Sequence, residues 1–226
     1  MMSPSIETHA LELSKWARNK YIKNHKVLIH QKEFNKHEKE FIKFFSKLPR
    51  TDTIIGDKPS PEELILKLKK DTPNIIFLAS SKFSYSYYIL SQLSLLEDDY
   101  RFTIIGMPHW VKYEGLDVNY LTKNNVIFST NCWLDKDSED LKTFNQEFLA
   151  EIKTLPNKYA YMGLDHIITT YPLLYIGNKE FLEIERTGLT NAFKIKAMNR
   201  RSKIRRYENS KVKIVQFKDN GINLLN

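Results

Sequence analysis

The segment Asn74-Ile75-Ile76-Phe77-Leu78-Ala79 is apolar without alternation, and it constrains the fold more than any other stretch of the chain. A strand with one wet face alternates apolar and polar side chains. An unbroken apolar run of strand length therefore belongs in a sheet covered on both faces. Lys26-Val27-Leu28-Ile29-His30, Thr51 to Ile55, Phe102 to Ile105 and Asn125 to Ser129 are further runs of strand length. Between them, apolar residues recur at three- and four-residue steps over Ile6 to Tyr21, Phe34 to Leu48, Ser60 to Lys70 and Ser84 to Leu96. Ser60-Pro61-Glu62-Glu63 is a helix start, with Ser60 as the cap, Pro61 at the first helical position and Glu63 closing a capping box. Helix and strand alternate, which predicts an α/β fold: a doubly wound, mainly parallel sheet flanked by helices.

After Trp133 the pattern changes. Asp137 to Ile152 and Ala160 to Ile176 have helical spacing, and a third helix is expected over Lys179 to Glu185. Strand signals return from Phe193. Lys211 to Phe217 alternates, Asp219-Asn220-Gly221 is a turn signal, and Ile222 to Leu225 supplies the second arm of a C-terminal β-hairpin. The chain divides on this basis into an α/β ligand-binding lobe (residues 1–136), a helical return segment (137–190) and C-terminal strands that complete the lobe (191–226).

Composition narrows the classes. A hydrophobic fraction of 42% with 12% aromatics fills a core and rules out global disorder. Cys132 is the lone cysteine, so neither an intrachain disulfide nor a cysteine-based zinc site can form. The start Met1-Met2-Ser3-Pro4-Ser5 has no basic and no apolar region of an export signal, and no apolar run approaches the ~20 residues a membrane span needs. The net charge is +8. Part of it is local: Lys194, Lys196, Arg200, Arg201, Lys203, Arg205, Arg206, Lys211 and Lys213 lie in one stretch against Glu208. Only Phe193 and Tyr207 accompany these charges, so the stretch reads as a solvated basic surface and not as a nucleic-acid track.

The catalytic templates are absent. The chain contains no GxGxxG, no GxxxxGK[ST], no HExxH and no GxSxG. His30 and His37 straddle a strand end and a helix and make a weak metal pair. The side chains of Asp165 and His166 diverge on a helix, and Cys132 reads as a packing residue. No catalytic residue, metal or cofactor is therefore expected. In a parallel sheet, ligands sit outside the carboxyl ends of the strands. That rule selects Ser80, Ser81 and Phe83 after one strand, Met107, His109 and Trp110 after the next, and Asn131 and Trp133 after a third. Hydroxyls and amides there would hydrogen-bond a small polar solute, and the rings would wall it.

Several segments also carry a resemblance. Ser3-Pro4-Ser5 is followed by a helix and the strand Lys26-Val27-Leu28-Ile29. Asn74 to Ser81 comes next, then Phe102-Thr103-Ile104-Ile105-Gly106 with Trp110. The stretch from Phe144 through Pro156 to Tyr161-Met162-Gly163-Leu164-Asp165 and the closing strands Lys211 to Phe217 finish the series. In this order they resemble the second lobe and C-terminal segments of type I periplasmic binding proteins, the group that includes the branched-chain amino acid binders of ABC transporters. The resemblance implies a non-catalytic solute-binding module, an extracytoplasmic location, and a first lobe that is missing ahead of Ser3. Leu164 stands where the family signature has an aromatic, which puts a ligand role for Asp165 in doubt. It further implies that helices over 137–185, without that lobe's sheet, pack elsewhere, expose an apolar stripe containing Leu141, Phe144 and Phe148, or turn it toward a partner (the missing lobe, a membrane transporter or a second copy of the chain), and that the region is less ordered than the core or lies at a dimer interface. Two other functions remain open. One is a transferase-type α/β enzyme using an anionic or sugar substrate, and the other a cell-envelope scaffold that has lost its ligand.

Overall fold

The computed structural model describes residues 3–112, 118–176, 185–198, 206–218 and 221–225. In chain order the elements are α1 (Ile6–Lys20), β1 (His25–His30), α2 (Lys36–Phe45), β2 (Thr51–Ile55), α3 (Pro61–Ile65), β3 (Asn74–Leu78), α4 (Phe83–Ser94), β4 (Phe102–Ile105), a 3-10 turn (Pro108–Lys112), α5 (Val118–Lys123) and β5 (Ile127–Thr130). They continue with α6 (Glu139–Ile152), α7 (Lys158–Ile176), β6 (Arg186–Thr187), β7 (Ala192–Phe193), β8 (Ile195–Met198), β9 (Arg206–Asn209), β10 (Lys213–Lys218) and β11 (Gly221–Leu224). Two compact units result, one of residues 9–129 with 214–226 and one of residues 1–8 with 130–213. Both are discontinuous in sequence, whereas the three stretches expected from the sequence were continuous.

The larger unit is built on a seven-stranded sheet in the order β2-β1-β3-β4-β5-β10-β11. The pairs β2/β1, β1/β3, β3/β4 and β4/β5 are parallel, and β10/β11 is an antiparallel hairpin. This is the mainly parallel, helix-flanked α/β sheet with a C-terminal hairpin that the apolar runs predict. Every residue of β3 is buried. Its side chains meet the helices, as where the rings of Phe77 and Phe45 of α2 lie 4.3 Å apart. Leu13 and Ala17 of α1 and Ile89 and Leu93 of α4 are likewise fully enclosed. The chain leaves β1 in one direction to β2 and later passes to its other side at β3, so the strand order reverses there. That reversal opens a crevice at the carboxyl ends of β1 and β3.

Two helix readings change. The capping box at Ser60 forms as expected, with the Ser60 N–H donating to Glu63 at 2.8 Å, but α3 ends at Ile65 instead of near Lys70. The next residues tighten into three-residue hydrogen bonds, Lys67 to Leu64 and Leu68 to Ile65. The Asn74 carboxamide then binds both the N–H and the carbonyl of Lys69, at 2.9 and 2.8 Å, and draws the chain into β3. Helix α5 has no counterpart in the sequence reading. Of the C-terminal strands, β10 and β11 enter the main sheet, while β6 with β7 and β8 with β9 form separate antiparallel pairs. The helix expected over Lys179 to Glu185 lies outside the described residues apart from Glu185, as do Asp219 and Asn220 of the hairpin turn and residues 199–205 of the basic stretch.

The smaller unit contains α6 and α7. Ser138 caps α6 by accepting from the Leu141 N–H at 3.5 Å, and Leu141 is buried. Phe144 and Phe148 pack against each other, and Phe144 packs against Tyr161, both ring pairs at 5.6 Å. The stripe expected to face a partner is thus largely used within the unit. Apolar exposure falls instead on Leu149, Ile152 and Leu155, and on Tyr159, Ile167, Ile168 and Tyr171.

Candidate solute site at the carboxyl ends of the sheet

In the larger unit, three loops leave the carboxyl ends of β1, β2 and β3 side by side. The first runs from Gln31 to Asn35, the second from Gly56 to Ser60 and the third from Ala79 to Lys82. The first two loops and the start of α4 (which follows the third) border a cleft of about 440 Å³ lined by Gln31, Asp57, Lys58, Ser84, Tyr85 and Tyr88. That volume lies within the range of small-molecule sites. The two tyrosines come from the first turns of α4, one turn apart. Each is anchored to the second loop: the Tyr85 hydroxyl donates to the Gly56 carbonyl at 2.8 Å and the Tyr88 hydroxyl to the Pro59 carbonyl at 3.2 Å. Burial pushes the Tyr85 hydroxyl far above its ordinary pKa, and the nearby Asp57, Tyr88 and Glu38 add to the effect. Tyr85 is therefore a neutral wall of the cleft.

Behind the cleft, the first and third loops are joined through Glu38. Asn35 caps α2 by accepting from the N–H groups of His37 and Glu38, and the Glu38 carboxylate returns the capping box by accepting from the Asn35 N–H at 2.8 Å. Its second oxygen accepts the Ser81 N–H at 2.6 Å and the Ser81 hydroxyl at 2.8 Å. The Asn35 amide in turn donates to the Ser81 hydroxyl at 2.6 Å. Glu38 is 2% exposed.

The residues selected from the sequence fall into three sets. Ser80, Met107 and Trp110 are enclosed, and the Trp110 indole N–H donates to the Ser80 carbonyl at 3.1 Å, tying the end of β4 to the end of β3. Ser81 and His109 are half-buried and Phe83 is exposed. The His109 ring lies edge-on to His37 at 6.3 Å. Asn131 and Trp133 belong to the smaller unit. There the Asn131 amide donates to the Ser3 hydroxyl at 3.2 Å and the Trp133 N–H to the Thr190 carbonyl at 2.8 Å. The structure brings Ser80, Ser81, Met107, His109 and Trp110 to one edge of the sheet. The sequence reading missed Gln31, Asp57, Lys58, Ser84, Tyr85, Tyr88 and Glu38. The rule that selects strand ends applies equally to β1 and β2, so Gln31, Asp57 and Lys58 were accessible to it. Glu38 was not, because nothing in a surface-like helix sequence marks a glutamate that folds inward.

The other sequence candidates have structural partners. Asp165 is fully buried and accepts from the N–H groups of Leu189 and Thr190 at 2.6 and 2.8 Å and from the Thr190 hydroxyl at 2.5 Å. Burial pushes the Cys132 thiol up, so the group is not primed as a thiolate. His30 is turned to the Gln31 carbonyl at 2.7 Å while His37 lies against His109, so the two do not converge. Among the described residues no cluster of three metal-ligating side chains occurs, and no helix is long and apolar enough to cross a membrane.

No family model and no curated protein matches the chain by sequence. Solved structures do match it. The substrate-binding protein of an ABC transporter from Desulfitobacterium hafniense, in complex with Leu, superposes with a TM-score of 0.60 at 13% identity, over 98% of this chain and 66% of its own. The fold is that of the type I periplasmic binding proteins. A periplasmic binding protein from Burkholderia mallei matches with a TM-score of 0.53 at 8% identity, over 100% of this chain and 63% of its own. Full-length LpoA from Haemophilus influenzae matches at 0.54 and 15% identity, over 98% of this chain and 39% of its own. The chain thus spans about two thirds of the length of the binding proteins it resembles.

Proposed function

We propose that the chain is a non-catalytic solute-binding module that takes a small polar, amino-acid-sized ligand at the carboxyl ends of β1, β2 and β3. The observation that carries this reading is the tyrosine-walled cleft at the point where the strand order reverses, the place where open α/β sheets bind ligands. Tyr85 and Tyr88 offer apolar walls, and Asp57, Lys58 and Ser84 offer polar groups that fix orientation. Of the residues selected from the sequence none lines this cleft; Ser81, Phe83 and His109 are not enclosed and are assigned to the ligand by the strand-end rule alone. Ser80, Met107 and Trp110 hold the loops from beneath, and Asn131 and Trp133 are assigned to the ligand by the sequence rule alone. The leucine-bound neighbour favours an amino-acid-like ligand over the anionic or sugar substrate of a transferase. The same likeness favours an extracytoplasmic location and work beside a membrane transporter.

A thermal-shift screen at millimolar amino acids, short peptides, sugars and nucleotides tests this reading. A ligand that binds only the folded chain raises the melting temperature by mass action, by about 2.7 kcal/mol of stabilisation at a hundredfold excess over Kd. One chemical class should give a shift, and Tyr88→Ala should abolish it. A flat response from the folded chain to every class would overturn the reading. A second element is the exposed apolar set on α6 and α7. A protein partner covers these residues in this reading, whether a complementary lobe, a transporter or a second copy. Sedimentation velocity should detect self-association that Ile167→Ser weakens if the cover is a second copy.

A further inference from the structure

The Tyr85 and Tyr88 hydroxyls that wall the cleft donate their protons to the Gly56 and Pro59 carbonyls, so each keeps only lone pairs for a further partner. Another acceptor in the lining has no partner at all. The Oε1 of Gln31 is buried and makes no hydrogen bond among the described residues. Buried carboxamides are nearly always paired, so one left open in the wall of a cleft marks a place for a ligand group. The backbone at this position is tied down: His30 Nδ1 meets the Gln31 carbonyl at 2.7 Å, and the Gly56 N–H donates to the His30 carbonyl at 3.1 Å. Gln31 as a whole is half-buried, so rotation about its last side-chain bond carries the oxygen from its dry position to the cleft. Asp57 adds a carboxylate on the rim, near enough for its charge to act on the Tyr85 hydroxyl. Among the described lining residues Lys58 is the one cation, and it is exposed.

We infer that Gln31 is a specificity-determining residue of the proposed solute site: its carboxamide oxygen, together with the Asp57 carboxylate, receives a primary ammonium, so the cleft prefers small amines and zwitterions to solutes that carry an acid group alone. The inference rests on the solute-binding reading and deepens it by naming the chemical group that the cleft recognises. An ammonium brings three donors and no acceptor to a lining made of acceptors. Its charge is opposite to that of Asp57, and the faces of the tyrosine rings attract it. A carboxylate brings acceptors only and meets Asp57 as a like charge. Turned over, the Gln31 carboxamide could donate to an acid group, but Tyr85, Tyr88 and Asp57 have no donor to add. Where the solute also carries an acid group, Lys58 on the rim is the residue to meet it.

The test titrates the 226-residue chain with n-butylammonium chloride and, separately, sodium butyrate, and follows the backbone amides of Gln31, Asp57 and Ser84 in ¹⁵N–¹H correlation spectra. Butylammonium should move them saturably, and butyrate should bind at least about tenfold more weakly, the equivalent of one charge-assisted hydrogen bond. Gln31→Leu removes the oxygen at similar size. It should weaken butylammonium about tenfold and leave butyrate as it was. Gln31→Glu puts a carboxylate in the same place and should tighten butylammonium instead, a reversal that a merely structural role would not produce. Equal binding of the two probes, no saturable response to butylammonium, or a folded Gln31→Leu chain with wild-type affinity for it would overturn the inference. Failure of the function reading looks different. A solute shift that Tyr88→Ala abolishes and Gln31→Leu does not touch removes the specificity claim alone, whereas a screen flat in every class removes the function reading itself.

Discussion

The Trp110 indole N–H donates to the Ser80 carbonyl at 3.1 Å, and its six-membered ring rests directly on Gly106. A Cβ placed on Gly106 would stand 2.6 Å from that ring, closer than carbon atoms approach, and its neighbours along β4 leave the backbone no room to retreat. Gly106→Ala must therefore displace the indole and break the tie between the ends of β3 and β4. The expected cost is about 1–3 kcal/mol of folding stability, read from urea denaturation, with loss of near-ultraviolet tryptophan signal. Retention of both would show that the ring is not held as described.

Asp165 carries a comparable prediction in the smaller unit. Its carboxylate collects three donors from Leu189 and Thr190, 24 and 25 residues downstream, and is fully buried. Asp165→Ala strands those donors in a dry interior, at a cost of about 3 kcal/mol. Solute-induced shifts measured on the larger unit's cleft should persist in any folded fraction of the variant. A stable variant with a lost solute response would instead make Asp165 a ligand group.

The strands were legible because burial on both faces leaves a signal in single residues: Ile75, Ile76, Phe77 and Leu78 are all apolar and all enclosed. The caps were legible where Ser60, Pro61 and Glu63 lie within four positions of one another. The site was legible only at strand ends. Trp110 has the composition of a ligand wall, and its burial against Gly106 depends on contacts the sequence does not order. Glu38 sits among Lys36, His37, Lys39 and Glu40, where a carboxylate looks solvated; its inward turn depends on Ser81, 43 residues away. The stretch after α3 differs for a similar reason, since the residue that holds Lys69 out of a longer helix, Asn74, belongs to the next strand.

His9 gives the chain a pH dependence. It is buried in the larger unit, 2.9 Å from the Ser129 hydroxyl through Nδ1, and its pKa is pushed down to about 4, first by burial and then by the charge of His109. Between about pH 4 and 6.5 the unfolded chain binds a proton at this position that the folded chain refuses, so stability rises with pH across that window. It is fully present above the unfolded value, and acidification through the window removes on the order of 3 kcal/mol. Urea midpoints measured across the window should rise with pH in the wild type and flatten in His9→Asn. An equal slope in both would assign the acid sensitivity to other groups.

Gly163 makes a prediction in the opposite direction. It lies within α7, two residues before Asp165, in the segment whose likeness to a family signature invites a functional reading of the glycine. Nothing stands within 4 Å of the position its Cβ would occupy, so close packing does not require the missing side chain. A glycine inside a helix loses more backbone entropy on folding than alanine does, and leaves the helix weaker by about 1 kcal/mol. Gly163→Ala should raise the urea midpoint by a corresponding amount with an unchanged slope, and leave the solute response as it was. If stability falls instead, a neighbour must occupy the face that the added methyl enters. That neighbour would be the partner surface proposed for α6 and α7, and the loss should then grow with protein concentration.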